Sequence, residues 1–318
     1  MRFVHYLRPL LPSWSDYRSV KRTWRGDIVA GITVGIVALP LALAFGVSSG
    51  AGAEAGLVTA IVAGVIAAVF GGSNIQVSGP TGAMVVVLGP IVATQGVASV
   101  AIVSVMAGIV VLIAGLTKLG RVVSFIPWPV IEGFTLGIAV TIFLQQVPAA
   151  FGVRAGASSN ALVSAIQGLG SVRWPGVLWP AIAVIAVVAI MVLLPRIHRA
   201  IPASIIAVIV VSVVSVLARA PLTRIGALPA ALPAPSWPAM NLPQLESLAV
   251  PALTVAALAA IESLLSARVA ASISDTGPYD ADRELIGQGL ASIASGLFGG
   301  MPATGAIART AVNLRSGG

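Results

Sequence analysis

"PTGAM" at 80–84 and "ATGAI" at 303–307 are nearly the same phrase, written twice in a chain otherwise filled with apolar residues. They start 223 positions apart (303 − 80), and each follows an "FGG", at 70–72 and 298–300. The run SNIQVSGPTGAM (73–84) is too polar and too rich in helix breakers to be the middle of a membrane span. GGMPATGAI (299–307) has the same character. Pro80 and Pro302 hold the residue before them extended. Gly82 and Gly305 let backbone or ligand come close. Each phrase therefore reads as an extended stretch that turns into a helix, at Thr81 and near Gly305.

The repetition extends outward. With Thr33 set over Thr254, an offset of 221, ITVGIVALPLALAFGV (32–47) lies over LTVAALAAIESLLSAR (253–268). AGVIAAVFGG (63–72) resembles ASIASGLFGG (291–300). Three segments in one order at similar offsets indicate an internal duplication.

Composition places the duplication in a bilayer. Only 9% of the 318 residues are charged and 58% are hydrophobic, with mean hydropathy +1.02. A soluble domain carries about 25% charged residues. From Ile28 to Thr117 there is no Lys or Arg, and Glu54 is the only acid. The net charge of +8 does not point to nucleic acid, because the basic residues cluster in gaps between spans. Arg2, Arg8, Arg18, Lys21, Arg22 and Arg25 precede the first span, and Lys118/Arg121 and Arg196/Arg199 fall in later gaps. That pattern orients helices with basic loops inside, here with a cytoplasmic N-terminus in the plasma (inner) membrane. There is no cysteine, and no nucleotide-binding loop, catalytic triad or zinc motif, so nothing reads as an enzyme. His5 and His198 read as isolated interfacial residues rather than metal ligands, and no cofactor is expected.

Ten helical segments are expected, near 27–47, 55–70, 81–97, 99–117, 128–148, 176–194, 202–218, 250–268, 283–298 and 305–314. Residues 1–25 form a cytoplasmic N-terminal segment, and 26–318 a transmembrane domain. The Pro-rich stretch 220–247 reads as an extracellular loop. The eighth segment follows the first by seven spans, an odd number, so the second copy is inverted in the membrane. Inverted repeats with broken helices are the architecture of secondary transporters.

Two half-helices of opposed direction meet N-terminus to N-terminus. Their unpaired N–H groups and partial positive charges make an anion site without a basic side chain. Thr81 and Thr304 would add hydroxyl donors. Glu262 lies in mid-span, where a carboxylate is expensive and functional. Beside an anion it would take a proton as the anion binds, which couples the two fluxes; holding Na⁺ or pairing with an arginine are the alternatives. Arg309, four residues past Gly305, would contact the anion or pair with Glu262. Arg268 reads as a cap of its helix, Asp27 as a helix N-cap, and Asp275, Asp280, Asp282 and Glu284 as a solvated or capping group.

At these residues the chain resembles a known family. RGDIVAGITVGIVALPLALAFGVSSGAGAEAGL (25–57), SGPTGAM (78–84), ESLLSARVA (262–270) and ELIGQGLASIASGLFGGMPATGAIARTAVN (284–313) are similar to the SulP, or sulfate permease, anion transporters from about Arg25 onward. The resemblance implies an all-α polytopic membrane protein with a seven-plus-seven inverted-repeat transporter fold. A core bundle (26–120 and 248–318 here) moves against a gate bundle (121–220) in elevator fashion. It implies an anion held by Thr81, Gly82, Ala83, Gly305, Ala306, Ile307 and Arg309, beside the hydroxyl of Thr304 read above, with Phe45 closing from the first helix. Glu262 and Ser266 stand at the coupling positions. Partners would be a small anion, the lipid bilayer and, in the full-length form, a second copy in a homodimer.

The first helix resembles the bicarbonate-transporting branch, but sodium-coupled members carry Asp where Glu262 stands and Thr where Ser266 stands. The pair Glu262 with Arg309 is closer to proton-coupled sulfate or dicarboxylate carriers. Leu41 stands where many sulfate-type members have Gln. Relative to the family pattern, the chain is expected to be truncated after the tenth helical segment and to lack the STAS domain.

Overall fold

The apolar runs fold as helices, most of them joined by short links, with the Pro-rich stretch 218–241 a long one. The computed structural model describes residues 10–14, 16–18, 20–123, 127–156, 158, 160–197, 202–226, 228–274 and 279–318. His5, His198, Arg199 and Asp275 lie outside the described residues.

The elements run α1 (Val20–Ser48), α2 (Ala53–Phe70), β1 (Ser78–Gly79), α3 (Gly82–Gln95), α4 (Ala98–Leu116), a single turn α5 (Gly120–Val123), α6 (Trp128–Ala150), α7 (Ala161–Leu169), α8 (Leu178–Ile197), α9 (Ala203–Leu217), α10 (Leu242–Ser272), α11 (Ala281–Leu297), β2 (Thr304–Gly305) and α12 (Ile307–Arg315). Among the described residues α1, α2, α4, α8 and α10 are long and apolar enough to cross a membrane.

Local chemistry sets the ends. α10 begins at Leu242, eight residues before the apolar run, because the Asn241 side chain accepts the Gln244 N–H (2.9 Å). Pro243 sits in its first turn, where a missing N–H costs nothing. The loop expected to reach 247 therefore ends earlier. α1 begins at Val20, so Asp27 is not a cap: it lies within the helix and accepts the Thr23 hydroxyl at 2.7 Å. The short α7, capped by Asn160, has a span too brief for hydropathy to separate it from its loop.

Contacts divide the chain into two compact units, Met1–Pro127 with Ala227–Gly318, and Trp128–Gly226. In the second unit, α8 packs on α9 and α6 on α7. None of the residues of α8 is fully buried although the helix is apolar all round, which suits lipid.

In the first unit α11 is central, packed chiefly against α4 and α2. Its mean composition is less apolar than theirs, yet most of its residues are buried, including Asp282, Glu284, Gln288, Ser292 and Ser295. Asp280 caps α11 through the Asp282 and Arg283 N–H groups, both at 3.0 Å. Asp282 and Glu284 are 4% and 1% exposed, so they are not solvated as expected. Asp282 accepts the Gly120 N–H (3.0 Å) and faces Arg121 at 3.6 Å.

A polar strap precedes α1. Asp16 pairs with Arg283 at 2.8 Å, and Tyr17 donates to the Val69 carbonyl at 3.2 Å. The Ser13 N–H, with Arg283, holds the Asp16 carboxyl below the usual carboxylate range. A lowered value means that this contact persists above it and is lost as pH falls through it.

Small residues let α1 and α2 touch backbone to backbone. A Cβ on Gly56 would meet the Ala42 carbonyl and the Gly46 N–H, neither of which can rotate away. Gly56→Val is expected to cost at least about 1–3 kcal/mol, read as a lower thermal midpoint in detergent. An unchanged midpoint would mean that the two helices separate freely.

Candidate anion site at the two half-helix tips

Two approach segments, one from each copy, enter the middle of the first unit. The segment after α2 ends in β1, and the segment after α11 ends in β2. β1 and β2 pair antiparallel, Ser78 with Gly305 and Gly79 with Thr304. Helices leaving an antiparallel pair diverge, so α3 and α12 start at the crossing and point apart. This is the inverted geometry expected from the duplication.

The register corrects one expectation. Aligning the repeated phrases places Thr304 and Gly305 at a helix start, like Thr81 and Gly82. In the structure Thr304 and Gly305 are the strand, Ala306 is the N-cap and the helix begins at Ile307. The strands stand 226 apart (304 − 78) and the N-caps 225 apart (306 − 81), rather than 223. Thr81 is the N-cap of α3, so its partner in the second copy is Ala306.

The first-turn donors follow from that. Neither N-cap supplies a side-chain hydrogen bond to its helix. The N–H groups of Gly82, Ala83 and Met84 on α3, and of Ile307, Ala308 and Arg309 on α12, precede the first intrahelical acceptors. The Gly305 N–H donates to the Ser263 hydroxyl (3.0 Å) and the Ala306 N–H to the Val77 carbonyl (2.9 Å). Thr304 is fully buried, 2.8 Å from the Ser263 hydroxyl, and donates weakly to the Ala259 carbonyl (3.3 Å). Its hydroxyl fastens the second tip to α10 and is not an exposed donor as expected.

Thr81 does something else. Its hydroxyl donates to Glu262 Oε2 at 2.9 Å, so the cap of α3 is bonded to the half-buried carboxylate of α10. One turn on, the Ser266 hydroxyl is fully buried and has no hydrogen-bond partner among the described residues. Arg309 is 3% exposed, and its guanidinium donates to the Pro80 carbonyl. It reaches from the second copy to the first tip rather than closing on Glu262 as an ion pair, although the two charges act on each other. A Cβ on Gly79 would meet this guanidinium, which explains a glycine there. Arg309 also lines a cavity of about 580 Å³ walled by α1 and α2, together with Gln76, Val77 and Ser78. Phe45 is half-buried on α1, a helix that packs against both half-helices.

A model of the sulfate permease family matches residues 24–318. The chain belongs to that family. Its SulP relatives include the putative sulfate transporter YvdB of Bacillus subtilis, 38% identical over 296 residues, covering 92% of this chain and 56% of that protein. The bicarbonate transporter BicA of Picosynechococcus is 35% identical over 311 residues, covering 93% and 54%. The chain thus spans about half the length of the curated relatives it matches. Among solved structures, the transmembrane domain of a cyanobacterial BicA superposes with TM-score 0.83 at 35% identity, over 93% of this chain and 78% of that one. A murine Slc26a9 anion transporter in the inward-facing state reaches 0.84 at 17% identity, a likeness of fold alone. This SulP chain is an integral membrane protein with the inverted-repeat fold of those transporters.

Ser263, Gln76 and Gln288 carry no reading in the sequence, and Glu284 reads there only as part of a solvated or capping group. A signal for the last two was present. Glu284, Gln288, Ser292 and Ser295 recur at helical spacing, a polar stripe on an otherwise small-residue helix.

Proposed function

We propose that the full-length protein is a secondary active transporter of a small oxyanion, sulfate, bicarbonate or a dicarboxylate, in symport with protons. The observation that carries this is the Thr81–Glu262 bond at the cap of α3, where two half-helix N-termini diverge. First-turn N–H groups from both copies supply the anion's donors. Glu262 carries the proton: charged, it repels the anion; neutral, it admits it. Arg309 fixes one positive charge at the same tips. An elevator movement of the core units, a homodimer, and a plasma-membrane setting with a cytoplasmic N-terminus complete the reading.

A second reading keeps the family and changes the ion: Na⁺-coupled bicarbonate symport. The buried Ser266 hydroxyl, unpartnered and one turn from Glu262, is an oxygen that a desolvated Na⁺ would use. Uptake into proteoliposomes separates the two. Accumulation driven by an imposed pH gradient, indifferent to Na⁺, is expected. Accumulation driven by Na⁺ alone would replace proton coupling by the second reading. Anion binding without counterflow would leave a binding protein and end both.

A further inference from the structure

The polar stripe of α11 is not used by the transport chemistry above, and it begins at a buried carboxylate. Glu284 is 1% exposed. Such a group is tolerated only when its oxygens are filled. Among the described residues the Gly72 N–H reaches Oε2 at 2.9 Å and the Gln76 and Gln288 amides reach Oε1, both at 2.9 Å, with the Ser73 N–H also acting on the carboxylate.

These donors trace the approach to the first tip. Gly72 and Gln76 lie at the start and middle of the segment that leads from α2 into β1. The Gln76 amide rests directly against Gly305 of β2. The Gln288 amide continues to the Ser78 hydroxyl, in the residue that pairs with Gly305. One carboxylate is therefore tied to three points of a single extended segment, the last of them in the crossing itself.

The second approach is held differently. The Met301 N–H donates to the Thr59 hydroxyl (2.6 Å), Ser295 donates to the Met301 carbonyl (2.6 Å), and the Ala303 N–H reaches Ser292 at 3.2 Å. With the "FGG" offset of 228 (298 − 70), Glu284 and Gln288 correspond to Gly56 and Ala60, so the charged node exists once.

We infer that Glu284 is a positioning residue: acting through Gln76 and Gln288, it sets where the first half-helix tip stands relative to the second. This rests on the reading of the two tips as the anion's site. The chemistry requires a group that only accepts. An amide nitrogen at 284 would face the Gly72 N–H if placed at Oε2, and both glutamine amides if placed at Oε1. The Gly72 N–H cannot turn, but the carbonyl oxygens of Gln76 and Gln288 are buried without partners among the described residues, so both amides can turn over to relieve the clash at Oε1. Turning Gln288 replaces the donor at Ser78 by an acceptor, so the Ser78 hydroxyl must reverse; turning Gln76 sets its oxygen against Gly305. Both changes fall on the crossing.

The test uses the full-length protein with Glu284→Gln and with Glu284→Gln/Gln288→Glu. The double variant returns an acceptor one turn along the same stripe, able to take the new amide at 284 and the Ser78 hydroxyl. Glu284→Gln is expected to raise the KM for the anion about tenfold with protons moved per anion unchanged, and the double variant to return KM to within about threefold of wild type. A KM unmoved by Glu284→Gln, or raised equally in both variants, overturns the inference. Should Glu284→Gln fail to assemble, the double variant decides alone by whether its KM is near wild type.

A second readout needs no transport. The chain has no cysteine, and Val77 and Ala306 are joined by a backbone hydrogen bond. Cysteines placed at these two positions should be bridged by a short bis-maleimide several-fold more slowly with Glu284→Gln, and at the original rate in the double variant. An unchanged rate overturns the inference. If the wild type carries no anion at all, the transport reading fails and these rates judge Glu284 by themselves.

Discussion

Glu262→Gln is expected to abolish concentrative uptake while leaving anion exchange. Glutamine keeps the shape of the neutral acid, and its carbonyl still accepts the Thr81 hydroxyl that now reaches Glu262 at 2.9 Å. The α3 cap and the packing of α10 are therefore preserved. What is lost is the ability to change charge. The site of the variant is permanently in the form that admits an anion, so anions cross in either direction without a proton. One pH unit of gradient is worth about 1.4 kcal/mol, which corresponds to about tenfold accumulation of a solute carried one-to-one with H⁺. In proteoliposomes the wild type should approach that ratio and the variant should settle near one. Labelled-anion counterflow should persist. A variant that still concentrates the anion under the same gradient would remove Glu262 from the coupling step.

The fold was legible because its signals are large. Uncharged runs, Pro and Gly breaks, and a repeated segment order are visible without an alignment. The expected segments all correspond to helices, with the chief differences at ends set by a cap, as Asn241 does for α10. The site was legible in outline and wrong in register. "PTGAM" and "ATGAI" match letter for letter at three central positions, yet the first "TG" begins a helix and the second forms the strand. Local wording cannot distinguish the two, because Thr and Gly suit both a cap and an extended pair. Only the ladder between Ser78 and Gly305 decides.

The buried polar residues were hidden for a different reason. Charge near a helix start ordinarily means capping and solvent, and Asp280 behaves that way. Glu284, four residues on, faces inward because the chain from Gly72 to Ser78 runs past it with donors to satisfy. Nothing in the composition of α11 says which neighbour will cross it; that depends on contacts 208–212 residues distant in sequence. Likewise Thr304, expected as a ligand donor, spends its hydroxyl on α10.

Arg309→Met is expected to weaken anion binding by about ten- to a hundredfold, with little change in thermal midpoint. Methionine fills much of the same length without charge, so the loss isolates the guanidinium. Arg309 is the buried cation at the tips, and it crosses from α12 to the Pro80 carbonyl just before the α3 cap. An anion approaching the first-turn N–H groups meets partial charges from two helices and a full charge from this side chain. Hydrogen bonds to a charged group are worth about 1.5–3 kcal/mol, which gives the expected range. Arg309→Lys should fall between, since a lysine keeps the charge but not the fork that bonds Pro80 while facing the site. Calorimetric titration of the full-length protein with sulfate, bicarbonate and a dicarboxylate would measure it. The ordering also separates two roles. If Arg309 only braces the first tip, the methionine and lysine variants lose stability together and bind alike once folded. If it attracts the anion, affinity falls with charge while the midpoint holds. Unchanged affinity in the folded methionine variant would confine Arg309 to the architecture of the crossing.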